Sequence, residues 1–169
     1  MSGAAALALF VGACVMAALP GALIRPGAWY AGLRKPRWRP PDWLFGPAWT
    51  VLYLMIAVSG WLVWRQLGLR AGALPLTVYG LHLAINAGWS AIFFGLRRMD
   101  LAFGWIVLLW ASILAMILVF APVDGIAALL LLPYLGWVSF AAMLNWSVWR
   151  MNRGSGGRAS PAHTLPPGN

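Results

Sequence analysis

The chain has 169 residues, of which 62% are hydrophobic and only 9% charged, with a net charge of +9 and a mean hydropathy of +0.79. So few charges cannot cover the surface of a soluble domain of this size. The single cysteine, Cys14, excludes an intrachain disulfide and a cysteine metal cage.

Residues 2–24 contain no Lys, Arg, Asp or Glu, and the same holds for 44–64, 75–96, 101–123 and 125–149. Each run is 21 to 25 residues long, and about 20 apolar residues as a helix cross the hydrocarbon core. The runs are continuously apolar rather than alternating, which selects helices over barrel strands. The first run lacks the basic start of a secretory signal and exceeds its usual apolar length, so it is read as the first helix. The expected fold is an all-α membrane protein, a five-transmembrane-helix bundle forming one domain over residues 1–152. Cys14 is expected to fill space inside the first helix. A Gly/Ser/Pro-rich tail, 153–169, reads as disordered, and His163 lies within it.

Between the first two runs stands "WYAGLRKPRWRPPDWLFGPAW", residues 29–49. Pro36, Pro40, Pro41 and Pro47 fix φ and extend the residues before them. Trp29, Tyr30, Trp38 and Trp43 are interleaved with these prolines, so the first loop is expected to be structured and to cap the helix ends. The later connections are short, and "APVDG" makes the last two runs antiparallel neighbours. Small residues recur at Ala13, Ala17 and Gly21 and at Ala87, Ala91 and Gly95, which suits close helix contacts either within the chain or in a homodimer.

The positive charge is not that of a nucleic-acid binder, because it is sorted by face. Arg25, Arg34, Lys35, Arg37, Arg39, Arg97, Arg98, Arg150, Arg153 and Arg158 fall on one side, and only Arg65 and Arg70 on the other. The positive-inside bias then puts the N-terminus outside and the loop and C-terminus in the cytoplasm. Part of the loop's charge follows from topology alone, and anionic lipid headgroups are an alternative partner for it.

Polar and aromatic groups converge on the inner half. Trp49 and Tyr53 are one turn apart, Asn86 lies between His82 and Trp89 on one helical face, and Tyr134, Trp137, Ala141 and Asn145 share another. This spacing suggests a ring-walled cavity with the loop as lid. The plainer readings are that Trp43, Trp61, Trp64, Trp146 and Trp149 form an interfacial belt, that Trp89 and Trp137 pack the core, and that Asn86 bridges helices. A lone His82 has no second metal ligand beside it. Conventional catalysis finds no material. The chain has no Glu, and Asp42, Asp100 and Asp124 all sit at run boundaries, so no catalytic triad, carboxylate pair or metal set can be assembled.

The stretches "WYAGLRKPRWRPPDWLFGPAWTVLY", "NAGWSAIFFG" and "PYLGWVSFAAMLNWSVW" closely resemble signature segments of the TspO/MBR family, which comprises tryptophan-rich sensory proteins and translocator (peripheral-type benzodiazepine receptor) proteins. The likeness spans about residues 5–152. It implies a dimeric five-helix protein that binds tetrapyrroles such as protoporphyrin IX or haem, and also sterols and benzodiazepine-type drugs, as a sensor or transporter with no obligatory cofactor. Carried over by motif, Tyr30 and Trp38 belong to the lid, while Trp49, Tyr53, Asn86, Trp89, Trp137, Ala141 and Leu144 line the pocket. Near the end of the fifth run, "LNWSVWR" lacks the tyrosine of the animal sterol pattern, although Arg25, Tyr30 and Leu33 form the reverse one. The expectation is therefore a bacterial, tetrapyrrole-directed protein, with light- and oxygen-dependent porphyrin degradation through pocket tryptophans as the alternative.

Overall fold

The structure, a computed structural model, describes residues 2–24 and 27–153. Arg25, Arg158, His163 and the tail beyond Arg153 lie outside the described residues. Five helical spans are long and apolar enough to cross a membrane, and no strand occurs among the described residues. Their outward faces carry Leu9, Met16, Leu54, Leu81, Leu118 and Met143, each at least half exposed on the bundle's outer surface, where the fold demands lipid.

The first span is α1, Gly3–Leu23, opened by the Ser2 side chain, which accepts from the Ala5 amide at 3.3 Å. A short α2, Ala28–Ala31, and a 3₁₀ turn, Asp42–Leu44, lie in the first loop. The second span, α3, covers Phe45–Ala71 and so outlasts the charge-free run by two turns. It continues past Arg65 because that guanidinium folds back over the Trp61 ring at 4.8 Å, keeping its charge at the interface. Gly68, at φ 66°, supplies the left-handed residue that turns the chain toward α4.

The third span is α4, Ala73–Ser90, finished by a π-helical turn over Ala91–Gly95. The fourth is α5, Met99–Phe120. The fifth is divided into α6, Gly125–Leu130, and α7, Leu132–Asn152, because Pro133 cannot donate to the preceding turn. The hairpin between α5 and α6 is as tight as "APVDG" implied.

Asp124 caps α6, its carboxylate accepting from the Ala127 amide at 3.0 Å. That bond holds the Asp124 carboxyl below the usual carboxylate range. A depressed folded-state value means the cap contributes fully above about pH 4 and fades as pH falls through the folded value. We expect Asp124→Ala to cost about 0.5–1 kcal/mol at pH 7, the exposed end of the capping range, and the gap to wild type to narrow at pH 3. Paired thermal melts at the two pH values check this, and a gap that widens in acid would contradict it.

Around the bundle α1 packs on α3 and α4, α4 on α5, α5 on α6 and α7, and α6 on α3. The order is thus first, second, fifth, fourth and third span. Close approach is set by small residues. A Cβ on Gly60 would lie 2.6 Å from Tyr79 Cε2, and one on Gly88 2.7 Å from Trp105 Cζ2. The two small-residue rows pack inside the chain at Gly21 and Gly95: a Cβ on Gly21 would lie 3.1 Å from Ser90 Oγ, and one on Gly95 3.9 Å from Ile24 Cδ1. Cys14 is buried as expected, with Sγ 3.2 Å from the Tyr79 hydroxyl.

Candidate ligand site beneath the first loop

The first loop is fastened to the bundle at several points. Trp29 and Tyr30 of α2 meet Phe93 edge-on, and Tyr30 also meets Phe94 at 5.4 Å. The Arg34 amide donates to Asn152 Oδ1 at 3.0 Å, and Asn152 Nδ2 donates to the Arg34 carbonyl at 2.9 Å. Trp38 packs edge-on against Phe140 at 5.7 Å, and Arg39 pairs with Asp42. Lys35 Nζ lies 4.1 Å above the Tyr30 ring. Among the described residues ion pairs engage only Arg39 and Arg98, which leaves Arg34, Lys35 and Arg37 without a carboxylate.

Inside the bundle three spans meet through one side chain. Tyr53 donates to Asn86 Oδ1 at 2.7 Å, and Asn86 Nδ2 donates to the Tyr134 hydroxyl. Trp49 leans on Tyr53 at 5.6 Å and presents an edge contact to Tyr134 at 6.1 Å. The i,i+4 pair on α3, the midpoint of α4 and the start of α7 therefore converge as the spacing suggested. Asn86 fulfils the bridging reading, with both ends of its amide engaged. Tyr134, fully buried, was named in the sequence only as sharing a face with Trp137; its hydroxyl is the partner that spacing did not supply.

The other candidates are more dispersed. Trp89 stacks on Phe93 at 5.2 Å, and its buried Nε1 has no partner. Trp137 turns toward α3, touching Phe45 and Phe140 at 5.7 Å. With Pro47, Val51, Leu52, Met55 and Pro133 it lines an open groove of about 400 Å³ rather than joining the Tyr53–Asn86–Tyr134 cluster. Ala141 and Leu144 are half-buried on α7, with Ala141 against the core. A smaller groove, about 160 Å³, lies between α1 and α3 at Val11, Cys14, Thr50 and Tyr53.

His82 is completely buried one turn before Asn86 on α4. Its Nδ1 lies 2.8 Å from Ser112 Oγ, which itself donates to the Leu109 carbonyl at 2.7 Å, so Nδ1 is the donor in that pair. Its ring meets Tyr134 edge-on at 5.5 Å. No cluster of three metal-ligating side chains exists among the described residues. Phe45, Phe93, Phe140 and Asn152 complete the site's frame. No periodic pattern marks them, because each is identified by a partner far away in sequence.

Comparison with known proteins agrees with this architecture. The TspO/MBR family matches residues 4–150. The chain is 43% identical over 136 residues to the translocator protein of Homo sapiens, covering 79% of this chain and 80% of that one. It is 41% identical over 151 residues to Protein CrtK of Rhodobacter capsulatus, covering 87% and 92%. Against the tryptophan-rich protein TspO of Chlorobaculum tepidum the identity is 40% over 153 residues, covering 86% and 95%. With five apolar spans and a family match over nearly its whole length, the chain is a multi-pass membrane protein of the TspO/MBR family, whose named relatives are translocator and sensory proteins.

Proposed function

We propose that this protein binds a tetrapyrrole, protoporphyrin IX or haem, beneath the first loop and couples its level to transport or signalling. One arrangement supports the reading. A stiff loop bearing Arg34, Lys35 and Arg37 is clamped over the inner end of a bundle whose interior wall is Trp49, Tyr53, Tyr134, Trp89 and Phe93. A porphyrin is a flat aromatic disc with two acid arms, so rings offer it faces and edges while basic groups attract its carboxylates. Sterol-like and benzodiazepine-type ligands would use the same apolar wall without the charge. The basic loop lies on the cytoplasmic side in this reading, the N-terminus outside, and the membrane is that of a bacterial cell. A homodimer and surrounding lipid are its expected partners, and no nucleic acid is.

Titration with protoporphyrin IX, followed by tryptophan fluorescence quenching, tests the reading. Wild type should bind saturably with micromolar or tighter affinity. Trp49→Phe should weaken binding about 2- to 10-fold, the worth of one aromatic contact, with the melting temperature preserved. Unsaturable quenching identical in both proteins would remove the support for a tetrapyrrole site. Illuminating the saturated complex in air then separates binding from degradation, since a new absorbing product whose yield depends on Trp49 would mark the photochemical alternative.

A further inference from the structure

Asn145 is the one buried carboxamide in the bundle with neither end engaged. It is 3% exposed, and neither Nδ2 nor Oδ1 has a partner. On α7 it lies 11 residues beyond Tyr134 and 7 before Asn152. At about 100° and 1.5 Å per residue the three fall within about 20° of one another, with Asn145 some 10 Å from Asn152 along the helix. The other two members of this inward column are occupied: Tyr134 meets Asn86, and Asn152 clamps Arg34.

Ordinary helix bridging does not account for it. α7 packs along α5, whose polar side chains are committed elsewhere: Trp105 to the Ile85 carbonyl, Trp110 to Ser139 and Ser112 to Leu109. Along α7, Asn145 stands between Phe140, which receives Trp38, and Asn152, which holds Arg34. On its own face of α7, Asn145 lies between Tyr134, which meets Asn86 and Trp49, and Asn152, which holds the loop. From α4, the Trp89 indole presents a second buried donor with no partner.

We infer that Asn145 is an uncharged anchor for the ligand's polar edge, selecting a group that sets a hydrogen-bond donor beside an acceptor. A carboxamide presents its N–H and C=O side by side, so its complement is a neutral carboxylic acid or an amide, which pairs with it at two points. An ester or a carboxylate offers acceptors only, so Asn145 would receive one acid arm in its protonated form while the loop cations receive the ionised one. The inference rests on the tetrapyrrole reading above and adds to it a specificity device independent of the loop's charge. Both amide atoms are shut off from solvent. Leaving a donor and an acceptor unpaired in an apolar interior is unfavourable, and the bound state relieves it.

The experiment compares the bis-amide and the dimethyl ester of protoporphyrin. Both are uncharged, so the loop cations do not separate them. Wild type should prefer the amide about tenfold, the worth of a well-made hydrogen bond in a site that otherwise leaves its own groups unpaired. In Asn145→Leu the preference should vanish through weaker amide binding, with ester binding retained or improved. That variant puts an apolar group of similar size where an unpaired polar one stood, and Asn145→Met provides a second replacement. Equal affinities in wild type, which needs no variant, would overturn the inference, as would a preference that survives in folded N145L or N145M. If protoporphyrin IX and both derivatives all fail to bind saturably, the tetrapyrrole reading itself has failed and takes this inference with it. Binding without discrimination defeats the inference alone.

Discussion

Asn86→Leu will lower stability by about 2–4 kcal/mol, more than any single loss of one hydroxyl in the same cluster. The change strands two phenols at once. Tyr134 is fully buried and Tyr53 half-buried, and each finds its partner in the Asn86 amide. An unpaired buried polar group costs about 1–3 kcal/mol, whereas one hydrogen bond between membrane helices averages only about 0.6 kcal/mol. Tyr53→Phe should be milder, at about 1 kcal/mol, the low end of that range, because it leaves only the Asn86 Oδ1 unpaired. Removing the whole cluster, in Asn86→Leu with Tyr53→Phe and Tyr134→Phe, should recover much of the loss, because no polar atom is then left alone. Thermal melts in one detergent rank the four proteins. An Asn86→Leu variant no less stable than Tyr53→Phe would show that the amide does not join these spans. The same reasoning makes Asn86 a poor probe of ligand contact, since its loss disturbs the fold first.

Asn152→Ala should open the lid while leaving the bundle intact. The side chain makes both of its loop contacts to the Arg34 backbone, one as acceptor and one as donor. Losing both is worth about 1–3 kcal/mol locally, so amide hydrogen exchange over residues 29–43 should accelerate about 10- to 100-fold. Protection within α4 and α5 should not change. Porphyrin affinity should fall in parallel, because a loosened loop must be ordered again at each binding event. Unchanged exchange in the loop would mean that Trp29, Tyr30 and Trp38 hold it without the clamp.

Spacing within one element was readable from the sequence, and pairing between distant elements was not. Charge-free length gave the five spans, since a hydrocarbon core tolerates little else. The Trp49–Tyr53 step and the midpoint Asn86 pointed to one place because an i,i+4 pair and an inward polar group each have a definite direction. Trp137 illustrates the limit. Its depth was legible, but its partners Phe45 and Phe140, and the groove it lines beside Pro47 and Val51, were not. The second span outran its predicted end because Arg65 stacks on Trp61, a contact that a count of charges treats as a stop. The break at Leu131 follows from Pro133, yet the π-helical turn at Ala91–Gly95 has no residue that announces it. The loop's order was foreseen from its prolines and rings. Its anchors, Phe93, Phe140 and Asn152, were not, because they are chosen by the fold of other spans.

The clamp between Arg34 and Asn152 closes a separation of 118 residues. On a ribosome adding about 5–20 residues per second, Arg34 is made roughly 6–24 s before its partner. Once the third span is in place the loop can lean on Phe93 and Phe94, but its backbone clamp has no partner until Asn152 is made. A chain stalled before its last helix thus lacks both the Trp38–Phe140 contact and the Asn152 clamp, and its loop is fully fastened only once the final turn of α7 is made. For this protein, making the final turn of α7 is itself the step that fastens the first loop to the bundle.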